Sequence, residues 1–221
     1  MYSNSISQQL DEQILFLQQL RSDSDLIPKL EIAVKWLVHT LQQQLPVLVC
    51  GNGGSAADAL HISGELVGRF LRERNALNVV CLNANVSVLT AWANDYDSIF
   101  ARQVEAHGKV GGVCWGISTS GNSPNVLRAL EKAHELQMKT IALTGQGGGK
   151  LKDIADFIIE VPSEKTPQIQ ELHLPIYHFL CEQVERRIES SWVIQKFYKL
   201  LVIIFCPQHK IVGWVVHEFR F

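Results

Sequence analysis

Val47-Leu48-Val49-Cys50, followed at once by Gly51-Asn52-Gly53-Gly54-Ser55, constrains the fold more than any other stretch. The apolar run lies between Pro46 and Gly51. It is too short for a helix and lacks polar alternation, so it reads as a strand buried on both faces, as in parallel sheets. Glycine at 51, 53 and 54 lets the backbone approach a ligand closely. Ala56 to Glu65 is rich in Ala and Leu and has no Pro, which suits a helix. Strand, glycine loop and helix start together present free N–H groups to an anion or a sugar. The spacing is not GxGxxG and no Gly-Lys-Ser/Thr follows, so this is neither a dinucleotide fingerprint nor a Walker loop.

The same grammar recurs downstream. Asn78 to Leu82, Gly112 to Ile117, Thr140 to Leu143 and Phe157 to Val161 read as four more strands. The stretches between them suit helices: Val86 to Ala93, Ser98 to His107 and Asn125 to Leu136, with Gln168 to Glu189 last. Alternating strands and helices imply an α/β fold, a five-stranded parallel sheet with helices on both faces. Ligands of such sheets bind beyond the carboxyl ends of the strands. The loops at Gly51, Ser118 and Thr144 all lie there.

The flanks differ from this middle. Ile6, Leu10, Ile14 and Leu17 fall on one helical stripe, and Leu30, Val34, Leu37 and Leu41 on another. Residues 1–45 therefore read as a helical pair, Ile6 to Leu20 and Pro28 to Gln44, packing on a core or on a subunit partner. Residues 46–190 form the α/β unit and 191–221 an extension. In the extension, Phe197 to Phe205 is apolar and aromatic, Pro207 breaks it, and Ile211 to Val216 is strand-like. Packing on the domain, a subunit contact and a poorly ordered tail all remain open for it.

Composition narrows the class. A net charge of −2 over 221 residues gives no general attraction to nucleic acid or anionic membrane. No apolar run reaches the ~20 residues of a membrane span, and the N-terminus has no signal-peptide pattern. Cys50, Cys81, Cys114, Cys181 and Cys206 are scattered. That spacing suits reduced, buried thiols in the cytoplasm and not a zinc ribbon or disulfide framework.

Two clusters carry chemistry. Ser118-Thr119-Ser120-Gly121-Asn122-Ser123 places four hydroxyls at a strand end, ahead of a helix opened by Pro124. Hydroxyls and first-turn N–H groups suit a phosphate ester. Ser123 could instead serve only as an N-cap, although a cap needs one hydroxyl and not four. His61 and Glu65, at i and i+4, share one helical face. Their partners are expected from the last helix, among Gln170, Glu171, His173 and His178.

These motifs, with Leu143-Thr144-Gly145 and Ile169-Gln170-Glu171-Leu172-His173, resemble the sugar isomerase domain family in identity and in order. The resemblance covers about Ser5 to Ile188. It implies a flavodoxin-like three-layer sandwich, a cytoplasmic homotetramer and one zinc ion per subunit. It also implies a sugar phosphate substrate: interconversion of sedoheptulose 7-phosphate and D-glycero-D-manno-heptose 7-phosphate, the first step towards ADP- or GDP-heptose. Carried over by position, Glu65 and His178 match the acid–base pair. Asn52, Gly53, Gly54, Ser55, Glu65, Asn94, Asp95, Ser118, Thr119, Ser120, Ser123 and Gln170 match substrate contacts. His61, Glu65, Gln170 and His178 match the zinc ligands. A non-catalytic relative that binds the bacterial replication initiator is the alternative; Glu65 and His178, both kept here, argue for the enzyme. A phosphosugar-sensing domain of a regulator ranks last, since no helix-turn-helix segment accompanies it.

One spacing needs an explanation. Gln170 and His178 stand about 12 Å apart along a straight helix, and Pro175 falls between them. The expectation is a helix beginning near Glu171 or Leu172, with Gln170 ahead of it and pointing back; otherwise the two ligands come from different subunits.

Overall fold

The computed structural model describes residues 6–205, with side chains through Glu189. Five parallel strands form one sheet in the order β2-β1-β3-β4-β5. They are β1 (Val47–Gly51), β2 (Val79–Cys81), β3 (Val113–Ser118), β4 (Lys139–Thr144) and β5 (Phe157–Glu160). The strand expectations therefore hold to within one or two residues at each end. Strand order reverses between β1 and β3, and the glycine loop after β1 and the serine loop after β3 flank that crevice.

Alternation along the central strands builds two cores. Val47 and Val49 of β1, with Val113, Trp115 and Ile117 of β3, face one side. There they meet α2 (Leu26–Gln42), α3 (Gly54–Val67) and α8 (Thr166–Phe205). Leu48, Cys50 and Cys114 face the other side. There they meet α5 (Ile99–His107), α6 (Pro124–Glu135) and the short α7 (Leu151–Ile154), which the sequence pattern did not announce. Successive side chains point to opposite faces of a strand, so a run apolar at every position must be covered twice. Cys50, Cys81, Cys114 and Cys181 are free and buried, as expected.

After β2 the helices form as expected: α4 (Val86–Ala91) ends two residues before Ala93, and a 3₁₀ segment, Ala93–Ser98, leads on to α5, with Asp95 outside helical geometry at φ −124° and ψ 69°. One helical expectation needs correction. The last helix does not begin near Glu171. It begins at Thr166 and runs unbroken to Phe205, well past Glu189. Its buried stripe explains the early start. Ile169, Leu172, Ile176, Leu180, Val184 and Ile188 recur every three or four residues and all pack into the core. A helix opening at Glu171 would lose the anchor of Ile169. Pro175 is thus an interior proline on the exposed side of the helix, and it removes the bond to the Glu171 carbonyl. Pro175→Ala is expected to raise unfolding stability by up to ~3 kcal/mol in urea titration; an unchanged midpoint would show that the helix has already absorbed the break.

α1 (Ile6–Ser22) forms as expected but does not bury its stripe. Ile6, Leu10, Ile14 and Leu17 are all exposed, and Leu20 is the buried residue of the helix. No helix among the described residues is long and apolar enough to cross a membrane. The expected break at Pro207 and strand at Ile211 to Val216 lie outside the described residues.

Candidate active site

The loop after β1 owes its shape to glycine at two positions. Gly53 has φ +56°, the left-handed region that favours glycine. A Cβ at Gly54 would lie 2.3 Å from Gln170 Nε2, so this backbone rests directly on the Gln170 amide of α8. Ser55 is buried in the first turn of α3. Asn52 is held by a reciprocal pair with Asn125: Asn52 Nδ2 donates to Asn125 Oδ1 at 2.8 Å, and Asn125 Nδ2 donates back to Asn52 Oδ1 at 2.9 Å. The Tyr96 hydroxyl also donates to Asn52 Oδ1, at 3.0 Å. Asn125 and Tyr96 were not singled out from sequence. An Asn in the first turn of a helix and a Tyr in a polar segment carry no local signal, and both join the site only through tertiary packing.

Asn94 and Asp95 lie in the exposed 3₁₀ segment that delivers Tyr96. Asp95 accepts a short hydrogen bond from Ser98 and pairs with Arg128 Nη1 at 3.4 Å. It therefore faces its own segment and α6, while Tyr96 reaches the glycine loop.

The serine loop is built as an open cradle. Ser118 and Ser123 Oγ atoms are 2.9 Å apart. Ser123 precedes Pro124 at the start of α6 and makes no side-chain capping bond; its hydroxyl meets Ser118 instead. The exposed Ser120 receives the Asn122 N–H at 3.2 Å, and Thr119 is half-buried beside it. Gly121, at φ +64°, lies so close to the next loop that a Cβ would fall 2.0 Å from the Gly148 carbonyl oxygen. The N-terminal end of α6 and these hydroxyls lie together beyond the end of β3, a setting that favours an anion.

His61, Glu65 and His178 converge. One nitrogen or oxygen from each lies within 4.8 Å of the others. His61 Nε2 is 2.9 Å from Glu65 Oε1 and 3.4 Å from His178 Nε2. The expected pairing of α3 with α8 is thus present, although His61 and His178 stand 117 residues apart. Phe70 stacks on His178 with ring centroids 5.4 Å apart. Burial and the neighbouring His61 lower the His178 pKa, with Glu65 opposing. A neutral imidazole is the form that binds metal. Two imidazoles and a carboxylate, gathered at this spacing, are the donor set of a catalytic divalent metal centre with an open position, so the residues fit a metal ion.

The other three candidates from α8 sit elsewhere, and Glu171 is exposed. Gln170 packs on Gly54, about 12 Å along the helix axis from His178. Because α8 is continuous through both, Gln170 does not reach back from outside the helix. His173 is fully buried, its Nε2 set 3.2 Å from the Thr144 carbonyl, and burial lowers its pKa to about 4. It is a neutral core residue. Tyr177 and Asp58, unremarked in the sequence, stand behind His61: the Tyr177 hydroxyl lies 3.1 Å from His61 Nδ1 and 3.4 Å from Asp58 Oδ1.

A five-stranded parallel sheet with a serine-rich loop at its switch point goes here with a His–Glu–His cluster between α3 and α8, and the SIS domain model matches residues 13–145. The chain belongs to the SIS domain family. Phosphoheptose isomerases of Helicobacter pylori and Citrifermentans bemidjiense are each 52% identical to it. The first match covers 71% of this chain and 83% of the relative, the second 74% and 86%. Solved phosphoheptose isomerases from Neisseria gonorrhoeae (TM-score 0.76, 38% identity) and Francisella tularensis (TM-score 0.78, 37% identity) each cover 82% of this chain. The match spans 97% and 96% of those two structures.

Proposed function

We propose that this protein isomerises sedoheptulose 7-phosphate to D-glycero-D-manno-heptose 7-phosphate, the entry reaction to activated heptose. The observation that carries this is the assembly of Glu65, His178 and His61 within 4.8 Å, on helices whose N-terminal parts meet at the glycine loop. Relatives of the same name at 52% identity support it.

Aldose–ketose isomerisation moves a proton between C1 and C2 through an enediol, and a second proton between their oxygens. Glu65 serves as the base that takes and returns the carbon-bound proton. His178 serves the oxygens, and the roles exchange in the reverse direction. The phosphate sits on Ser118, Thr119, Ser120 and Ser123, at the α6 N-terminus. Asn52, Gly53, Gly54 and Ser55 hold the sugar, with Asn94, Asp95 and Gln170 closing on it. Asp95 must release Ser98 or Arg128 to do so. His61, Glu65 and His178 would hold a zinc ion, which when bound would supply a Lewis acid to polarise the substrate carbonyl.

Gln170 as a further zinc ligand calls for a second subunit, because α8 separates it from His178 within one chain. A homotetramer fits that need. The exposed stripe of α1 and the exposed Leu60, Val67, Leu71, Leu174 and Phe179 around the cluster supply apolar surface for it. The adaptor alternative depends on loss of the Glu65–His178 pair, and here the pair is assembled.

Purified protein with zinc is expected to form aldose 7-phosphate from sedoheptulose 7-phosphate, to leave unphosphorylated sedoheptulose unconverted, and to elute at a four-subunit mass by light scattering. Absence of any aldose product would overturn the isomerase; full activity in a diluted monomer would overturn the shared site alone.

A further inference from the structure

We infer that Tyr177 and Asp58 form a hydrogen-bonded relay behind His61 that fixes which ring nitrogen of His61 carries the proton, and so readies the cluster for a divalent cation. The inference rests on reading His61, Glu65 and His178 as a metal site. His61 Nε2 faces Glu65 and His178, at 2.9 and 3.4 Å, while Nδ1 faces the Tyr177 hydroxyl at 3.1 Å. That hydroxyl is 3.4 Å from Asp58 Oδ1. Tyr177 is 1% exposed, and the second Asp58 oxygen, Oδ2, is buried without a hydrogen-bond partner.

Proton placement follows from these contacts. A neutral imidazole has one N–H and one lone pair. For Nε2 to bind a cation, the proton must sit on Nδ1, where it is donated to the Tyr177 oxygen. The tyrosine's own proton then points to Asp58. A carboxylate accepts and does not donate, so Asp58 sets the direction of both bonds. In the opposite direction Tyr177 donates to Nδ1, Nε2 carries the hydrogen and donates it to Glu65, and no lone pair faces the cation. Asp58 then meets only the lone pairs of the tyrosine oxygen. A partner on the far nitrogen is the usual means of orienting a metal-binding histidine. Here the carboxylate acts through an interposed phenol, which makes Tyr177 and Asp58 positioning residues.

A purely packing role for Tyr177 is separable. Its ring lies edge-on to His61 and His178, with centroids 5.4 and 5.0 Å away, and phenylalanine keeps both contacts. Zinc affinity of the full-length protein, measured by competition with a chromophoric chelator, is expected to fall ~10–100-fold in Tyr177→Phe, with an unchanged far-UV CD spectrum. Asp58→Asn should lose a similar factor, and the double variant no more than the larger single loss, because both act through one chain of bonds. In the zinc-loaded protein, NMR should show the His61 Nδ1–H protected from solvent exchange in the wild type and exchanging freely in Tyr177→Phe. A folded Tyr177→Phe with wild-type zinc affinity and an equally protected Nδ1–H would overturn the relay. Wild-type protein whose zinc binding is indifferent to His61→Ala would overturn the metal site itself.

Discussion

Glu65→Gln is expected to leave the fold and the assembly intact while lowering isomerase turnover by ~10²–10⁴-fold, the usual contribution of a general base. The amide has the shape of the carboxylate, so the helix face it shares with His61 is kept. It cannot take a proton from carbon. Glu65 Oε1 is 2.9 Å from His61 Nε2 and the side chain retains 18% exposure, so it is open to a substrate lying in the crevice. The Glu65 carbonyl is fixed by Arg74 Nη2 at 2.6 Å, which holds the C-terminal end of α3 in place. Because Glu65 is also proposed to hold zinc, turnover should be measured at saturating zinc, with bound metal quantified alongside. Loss of turnover at full occupancy assigns the proton transfer to Glu65. Turnover restored by zinc would reduce its role to holding the ion, and wild-type turnover would remove it from the chemistry.

The features that were legible before the fold was known are those whose physics is local. Each strand is a short apolar run bounded by Gly, Pro or polar residues, and parallel sheets bury such runs on both faces. The glycine and serine loops announce themselves by composition. His61 and Glu65 pair at i and i+4, which any helix enforces. The residues that escaped notice act across long separations with no repeated pattern. Asn125 meets Asn52 across 73 residues, and Tyr177 meets His61 across 116. A single Asn or Tyr looks the same in sequence whether or not it completes a network. A start near Glu171 would make Pro175 a first-turn residue and free Gln170 to reach His178, but the buried stripe beginning at Ile169 outweighs the lost bond and α8 opens at Thr166. The stripe of α1 was legible as a stripe, but hydrophobic periodicity does not say what covers it.

Glu185→Ala should be strongly destabilising, costing ~3–5 kcal/mol, the scale of breaking a buried pair. Glu185 sits on the core side of α8 and is fully buried. One carboxylate oxygen accepts the Phe70 N–H at 3.0 Å and the other the Leu71 N–H at 2.8 Å. Arg74 Nε approaches the first oxygen at 3.2 Å as an ion pair, without the alignment of a full hydrogen bond, and the Arg74 side chain is only 3% exposed. The carboxylate therefore closes the loop that leaves α3, satisfying two backbone donors and one charge. Alanine would strand all three, and an unpaired buried charge is the largest part of the loss. Removing the charge as well, in Glu185→Ala with Arg74→Met, should recover part of the stability in urea unfolding. The function should suffer in step. The same loop carries Phe70, which stacks on His178, and Arg74, which holds the Glu65 carbonyl. Loosening it lets both members of the acid–base pair drift, and a misplacement of about 1 Å can cost ~10²-fold in rate. The double variant, with its charge problem relieved but its Glu65 tether still cut, should regain stability without regaining turnover. Recovery of both together would show that the clamp matters only for folding.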